Sequence, residues 1–172
     1  MTRHASFAPV VDARTRVLIL GSLPGVKSLE AGRYYAHPQN SFWRLTGSLV
    51  GVDLVSLDYP DRLAALLAAG IGVWDVIATA RRSGSLDGAI RDIEGNDLAT
   101  LVATLPDLRL LAFNGQKAAS IGTRLLRPGT PHLTLPSSSP AYTMAFAGKA
   151  AAWAALRITL AKRVSVSDVR PS

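Results

Sequence analysis

At 172 residues, 48% hydrophobic and 18% charged, the sequence suits one soluble globular domain with a core of its own. The absence of cysteine excludes disulfides, thiolate metal sites and a cysteine nucleophile, no apolar run reaches membrane-span length, and the amino terminus MTRHASFAPVV lacks a signal-peptide core, so a cytoplasmic protein is expected. The net charge of +7, with 15 Arg and 4 Lys, favours a polyanionic partner, but GC-rich coding also enriches arginine, so the surplus gains meaning only beside motifs.

Residues 16–21, RVLILG, read as a buried parallel strand: apolar throughout and ended by glycine. A long loop is expected from there to Asn40, followed by a helix on which Phe42, Trp43, Leu45, Leu49 and Val50 show helical spacing. A second helix is expected over Asp61 to Ala69, between Pro60 and Gly70, and a second strand over 71–77 (IGVWDVI). The segment ATARRSGSLDGAI reads as a polar loop, and Asn96 or Asp97 can cap a helix running to Leu105. A third strand is expected over 108–113, a helix over Gln116 to Leu126 and a short fourth strand over 132–135. The loop PSSSP (136–140) then leads into a long alanine-rich helix to Arg163 and a frayed tail, 164–172.

Strands alternating with helices predict an α/β fold: a single-domain three-layer α/β/α sandwich around a short, parallel, four-stranded sheet. Right-handed crossovers place the loops after all four strands on the carboxyl edge of that sheet. Four unusual segments converge there: GSLPG with YYAHPQN, then ARRSGS, FNGQ and PSSSP. The stretch RYYAHPQNSFW (33–43) is the richest of them, supplying aromatic faces and amide edges suited to a flat heterocycle. GSLPG lacks the Gly-Lys-Ser/Thr ending of a phosphate-binding loop, and no G-x-G-x-x-G is present, so a nucleotide cofactor is not expected. His4, His37 and His132 show no metal-ligand spacing, and no metal is expected.

Taken in order, GSLPG, YYAHPQNSFW, FNGQKA and LPSSSPA resemble the uracil-DNA glycosylase superfamily, and within it most closely the hypoxanthine-DNA (deoxyinosine) glycosylases. The resemblance covers roughly Phe7 to Leu160. It implies hydrolysis of the N-glycosidic bond of a deaminated base in DNA, by a monomer acting without a cofactor, and a glycosylase domain over residues 1–163. The sequence departs from the better-known uracil enzymes twice. Leu23 stands where mismatch-specific uracil glycosylases carry a water-positioning Asn, and Leu135 stands where uracil enzymes place a His or Asn beside the departing base. Strong uracil excision is therefore not expected. Uracil in mismatches, xanthine or an alkylated base, or a catalytically idle nucleic-acid-binding module, are the competing readings.

By this resemblance Asn40 carries catalysis, positioning water without itself ionising; a simple helix cap is the alternative for an Asn at that place. His37 contributes to a sugar or phosphate contact, or braces the loop. Tyr35 matches the aromatic that stacks on the flipped base, while Phe42 and Trp43 suit the core. Asn114 is a candidate base reader, because its amide complements the N–H and carbonyl pair of hypoxanthine; the alternative is a turn with a helix cap. Ser22, Leu23 and Gly25 are expected beside the base. Ser137, Ser138, Ser139, Arg81 and Arg82 are expected on the DNA backbone, and Tyr142 is the nearest candidate for an inserted wedge. Asp75 and Asp87 either orient the arginines, line the pocket or serve structure alone. None of the four lysines falls in the aromatic loop, so an abasic product without strand cutting is expected.

Overall fold

The computed structural model describes residues 2–161. In chain order its strands are β1 (Thr2–Ala5), β2 (Val17–Gly21), β3 (Ile71–Asp75), β4 (Ile77–Arg82), β5 (Arg91–Gly95), β6 (Leu110–Asn114) and β7 (His132–Leu135). Its α-helices are α1 (Val26–Ala31), α2 (Phe42–Val50), α3 (Tyr59–Ala68), α4 (Leu98–Ala103), α5 (Gln116–Gly122), α6 (Phe146–Trp153) and α7 (Leu156–Leu160). Strands β3-β2-β6-β7, in that order, form the expected parallel sheet.

Strand β2 is buried at every position, and its alternation divides the core. Val17 and Ile19 pack on one face with Phe42, Trp43 and Leu45 of α2, Leu66 of α3, Trp153 of α6 and Leu156 of α7. Leu18 and Leu20 pack on the other face with Leu98 of α4, Ala118 and Ala119 of α5, and Ile77 and Ala80 of β4. A continuous apolar strand with period-two sides thus yields the three layers expected from the alternating elements.

Three features depart from the sequence expectations. The strand predicted over 71–77 breaks at Val76, and the first part of the polar loop predicted over 78–90 belongs to β4, which pairs antiparallel with β1 and β5 in a second sheet of order β1-β4-β5. Periodicity missed β4 because two of its five buried or half-buried positions are threonine and arginine, and missed β5 because every residue of it is exposed. The loop after β2 contains α1, and the alanine-rich helix is two helices, α6 and α7; an alanine run carries no signal for the break. The expected end of that helix at Arg163 and the tail 164–172 lie outside the described residues. Elsewhere local chemistry acts as read: Asp97 accepts a hydrogen bond from Thr100 N–H at 3.1 Å and caps α4, and Gly70, at φ +83°, ends the turn after α3. Among the described residues no helix is long and apolar enough to cross a membrane.

Candidate active site

The carboxyl ends of β2, β3, β6 and β7 open onto one cavity of about 650 Å³. The loop after β2 supplies its first wall. Gly21 O and Ser22 O accept hydrogen bonds from the N–H groups of Val76 and Ile77 at 2.8 and 3.2 Å, which carries the sheet pairing past the end of β3. Ser22, Leu23 and Gly25 line the cavity as expected. Leu23 is also buried in the core beneath β4 and so presents an apolar wall.

The aromatic loop forms the second wall. Tyr34 is core: its hydroxyl donates to Ala8 O at 2.8 Å and its N–H donates to the Tyr59 hydroxyl at 3.0 Å. Tyr35 takes the left-handed backbone conformation, φ +51°, which is costly for a bulky side chain. It is held there by Trp43 Nε1, which donates to Tyr35 O at 3.1 Å, and by stacking on Phe42 with ring centroids 3.9 Å apart. The strained turn swings the Tyr35 ring into the cavity lining. His37 and Asn40 line it too. His37 Nδ1 accepts from Gln39 N–H at 3.1 Å, a loop-bracing contact. Asn40 Oδ1 accepts from Phe42 N–H at 3.0 Å, so the residue engages the first N–H of α2 from one position ahead of the N-cap, Ser41. Its amide nitrogen makes no hydrogen bond among the described residues, and one lone pair of Oδ1 remains open.

The third wall joins FNGQ to PSSSP. Gly115, at φ +99°, lies so close to Ser137 that an added Cβ would sit 3.1 Å from the Ser137 Cβ. Asn114 Nδ2 donates to Ser138 Oγ at 2.8 Å and to the Tyr35 hydroxyl at 3.2 Å, and Asn114 Oδ1 accepts from Ser138 N–H at 2.9 Å. Both of its amide hydrogens are therefore committed. Asn114 lines the cavity, but the bidentate reading of a base expected of it is not available in this arrangement; it is the bracket that joins Tyr35 to the serine loop. Ser138 is 1% exposed and spent on that bracket, so it does not face a DNA backbone. Ser137 and Ser139 are half-buried, and Ser137 Oγ accepts from Ser139 N–H at 3.1 Å. Beneath them Lys149, buried on α6, donates from Nζ to Ser139 O at 3.0 Å. Tyr142 is 45% exposed at the cavity rim, its ring centroid 5.6 Å from Lys149 Nζ.

The two arginines part company. Arg81 is exposed on β4, 3.7 Å from Asp92, and is not in the cavity wall. Arg82 is 1% exposed, and the DNA contact expected of it is replaced by a structural one. Its Nε donates to Gly84 O at 2.7 Å and its Nη2 donates to Pro24 O, tying the β4–β5 connection to the loop after β2. Strand alternation decides this: on β4, Ala80 and Arg82 are buried on one side while Arg81 between them points out.

The β4–β5 connection closes the fourth side. Ser85 Oγ accepts from Val26 N–H at 2.9 Å, and Asp87 Oδ1 accepts from Ser22 Oγ at 2.7 Å. Asp75, the last residue of β3, lies in the lining and is 4% exposed. Burial, with Asp87 nearby, raises its carboxyl to about 7, and Arg82 only partly opposes the shift. Burial, then the Asp75 charge, also pushes the Tyr35 hydroxyl well above its usual range, so it stays protonated. The sequence marks Asp75 as an acid that orients arginines, lines the pocket or serves structure, inside a strand expected to run to residue 77. Lys149, inside an alanine-rich helix, carried no such signal. Among the described residues no group of three or more His, Asp or Glu side chains is placed to hold a metal ion.

Known proteins resemble this chain in sequence and in fold. The sequence model of the Uracil DNA glycosylase superfamily matches residues 8–158. A protein of Methanosarcina barkeri (strain Fusaro / DSM 804) named hypoxanthine DNA glycosylase is 43% identical over 152 residues, 88% of this chain and 96% of its own. A Methanosarcina acetivorans protein of the same name is 43% identical over 135 residues, 78% of this chain and 85% of its own. The solution NMR structure of a Methanosarcina acetivorans protein, provisionally described as a uracil DNA glycosylase, matches with a TM-score of 0.82 at 39% identity, covering 92% of this chain and 99% of that one.

Proposed function

The chain belongs to the uracil DNA glycosylase superfamily, and on that premise we propose that it is a monofunctional DNA glycosylase removing hypoxanthine from deoxyinosine in DNA. The observation that carries this reading is the cavity itself. It is walled by loops from all four strand ends, is large enough for a purine turned out of the helix, and has in its lining Asn40, whose amide nitrogen makes no hydrogen bond among the described residues.

In the proposed reaction the flipped base rests against Tyr35, on the ring face away from Phe42. N-glycosidic cleavage passes through an oxocarbenium-like state, so the enzyme must hold water on one sugar face and stabilise charge developing on the base. Asn40 suits the first task, because Phe42 N–H pins its amide plane while one nitrogen and one oxygen lone pair stay open. Such a preorganised dipole is worth about 3–4 kcal/mol. Apolar Leu23 and Leu135 leave the two positions used by uracil enzymes without a hydrogen-bonding group, in keeping with a different base preference. The net positive charge of the chain supports attraction to the DNA backbone.

The test is direct. Labelled duplexes carrying one inosine, uracil or xanthine are incubated with the protein, then treated with alkali to cut abasic sites. Preferred cleavage of the inosine strand, only after alkali, is expected. Strand cutting without alkali would instead implicate a lysine, since Lys27 and Lys117 also line the cavity. Binding without excision of any base would leave only a nucleic-acid-binding module.

A further inference from the structure

The mechanism above leaves the most buried charged group of the cavity unused. The Asp75 carboxyl accepts no hydrogen bond among the described residues, and its Oδ2 is fully buried without a partner. A carboxyl group kept for structure is normally hydrogen-bonded. Asp75 is instead braced only through its backbone, where its carbonyl accepts from Asn96 Nδ2 at 2.8 Å. The side chain is packed against the start of GSLPG: an added Cβ at Gly21 would lie 2.6 Å from Asp75 Oδ1 and 3.0 Å from the Tyr35 hydroxyl. Only glycine leaves the carboxyl in that place. The Asn114 amide, the other polar group at the cavity floor, has both of its hydrogens committed to Ser138 and Tyr35.

We propose that Asp75 is a catalytic residue of this cavity: its carboxyl group meets the flipped purine and delivers a proton to a heteroatom of the base as the glycosidic bond breaks. This rests on the glycosylase reading given above. The electron pair of the C1′–N9 bond passes to the purine, which takes the proton from Asp75. The water held at Asn40 forms the new C1′–O bond and releases a proton, which restores the carboxyl group. The products are the free base and an abasic site, and the sum is hydrolysis.

The surroundings keep the carboxyl neutral when it is needed. Burial disfavours its charged form, and Asp87 from the β4–β5 connection adds repulsion. Arg82 of β4 opposes these; its Nε and Nη2 are held by Gly84 O and Pro24 O, its Nη1 is unpartnered, and it makes no ion pair with Asp75 among the described residues. From the aromatic loop Asp75 faces Tyr34 and Tyr35, both held protonated by burial. The remaining ionisable side chains of the lining are Lys27, His37, Lys117 and Tyr142. An acid titrating near 7 is well matched to proton transfer at neutral pH.

The experiment is single-turnover excision of inosine across pH for the parent, Asp75→Asn and Asp87→Asn, with affinity for the same duplex measured alongside. The parent rate should fall about tenfold per pH unit above about 7, as a required acid ionises. Asp75→Asn, which keeps shape and a hydrogen-bond donor but has no proton to transfer, should be slower by about 10²-fold or more, with affinity retained and the alkaline fall abolished. Asp87→Asn removes the repelling neighbour, so its alkaline fall should begin at lower pH. An Asp75→Asn protein with the parent's rate or the parent's alkaline fall would overturn the proposal. Should that variant not fold, the comparison of parent with Asp87→Asn decides: no alkaline fall, or one that does not move, overturns it equally. A parent that excises no base from any duplex defeats the glycosylase reading and this proposal with it, whereas excision that is indifferent to Asp75 defeats the proposal alone.

Discussion

Arg82→Ala separates a structural arginine from a DNA-binding one. The side chain is 1% exposed and makes two charge-assisted hydrogen bonds, to Gly84 O and Pro24 O. Hydrogen bonds of this kind contribute about 1.5–3 kcal/mol each, so the pair accounts for about 3–6 kcal/mol. Truncation also frees the protein from burying a cation whose Nη1 has no partner, and burial is what lowers the pKa of this guanidinium. That relief offsets part of the loss, and a net destabilisation of about 3 kcal/mol is expected. In urea unfolding this is a midpoint shift of about 1–2 M for slopes of about 1.5–3 kcal/mol/M. Lysine should rescue little, because a single ammonium cannot reproduce the fork that spans two carbonyls. The salt dependence of binding to undamaged duplex should be the parent's, since no phosphate contact has been removed. Arg81→Ala should behave in the opposite way. Its ion pair with Asp92 is exposed, so stability should change by less than about 0.5 kcal/mol, and any effect should fall on DNA binding. If Arg82→Ala cost less than about 1 kcal/mol and reduced the salt slope by about one, the buried-brace account would be wrong.

Further outcomes are expected elsewhere in the cavity. Asn40→Ala should slow inosine excision by about 10²–10³-fold in single-turnover assays while duplex affinity stays near the parent's. Tyr35→Phe removes the hydroxyl that accepts from Asn114 and should cost about 1 kcal/mol of stability with mild loss of activity, whereas Tyr35→Ala also removes the ring and should be severe; equal damage from both would make the hydroxyl the functional group. The Asp75 carboxyl is raised from 3.8 to about 7 on folding, so the stability it contributes is complete below its unfolded pKa and is lost as pH rises through its folded one. Asp75→Asn should therefore gain thermal stability relative to the parent as pH increases between about 4 and 8, and melting curves in which the difference stays constant would contradict the shift. Lys149→Met removes the hydrogen bond to Ser139 O under the serine loop and should lower excision more than duplex affinity, measured by comparing single-turnover rates with binding isotherms.

By itself the sequence determined the parallel sheet, because VLILG is apolar at every position and such a run is stable only when buried on both faces. It also determined which loops meet. Right-handed connections between parallel strands leave little choice, and GSLPG, YYAHPQN, FNGQ and PSSSP do converge on one cavity. What residue type and spacing could not decide was the direction and occupancy of polar groups. Arg81 and Arg82 are identical in a list of candidates, yet alternation along β4 sends one to solvent and the other into the interior. Asn114 has the right amide in the right loop, but its hydrogens are claimed by Ser138 and Tyr35 across 24 and 79 residues of sequence separation. The second sheet escaped notice because its strands bury too little for a hydrophobic pattern, and it places Asp87 and Arg82 around Asp75. Hydrophobic burial leaves its period in the sequence, whereas a hydrogen bond between distant residues, or a charge pushed toward neutrality by desolvation, exists only once the chain has folded around it.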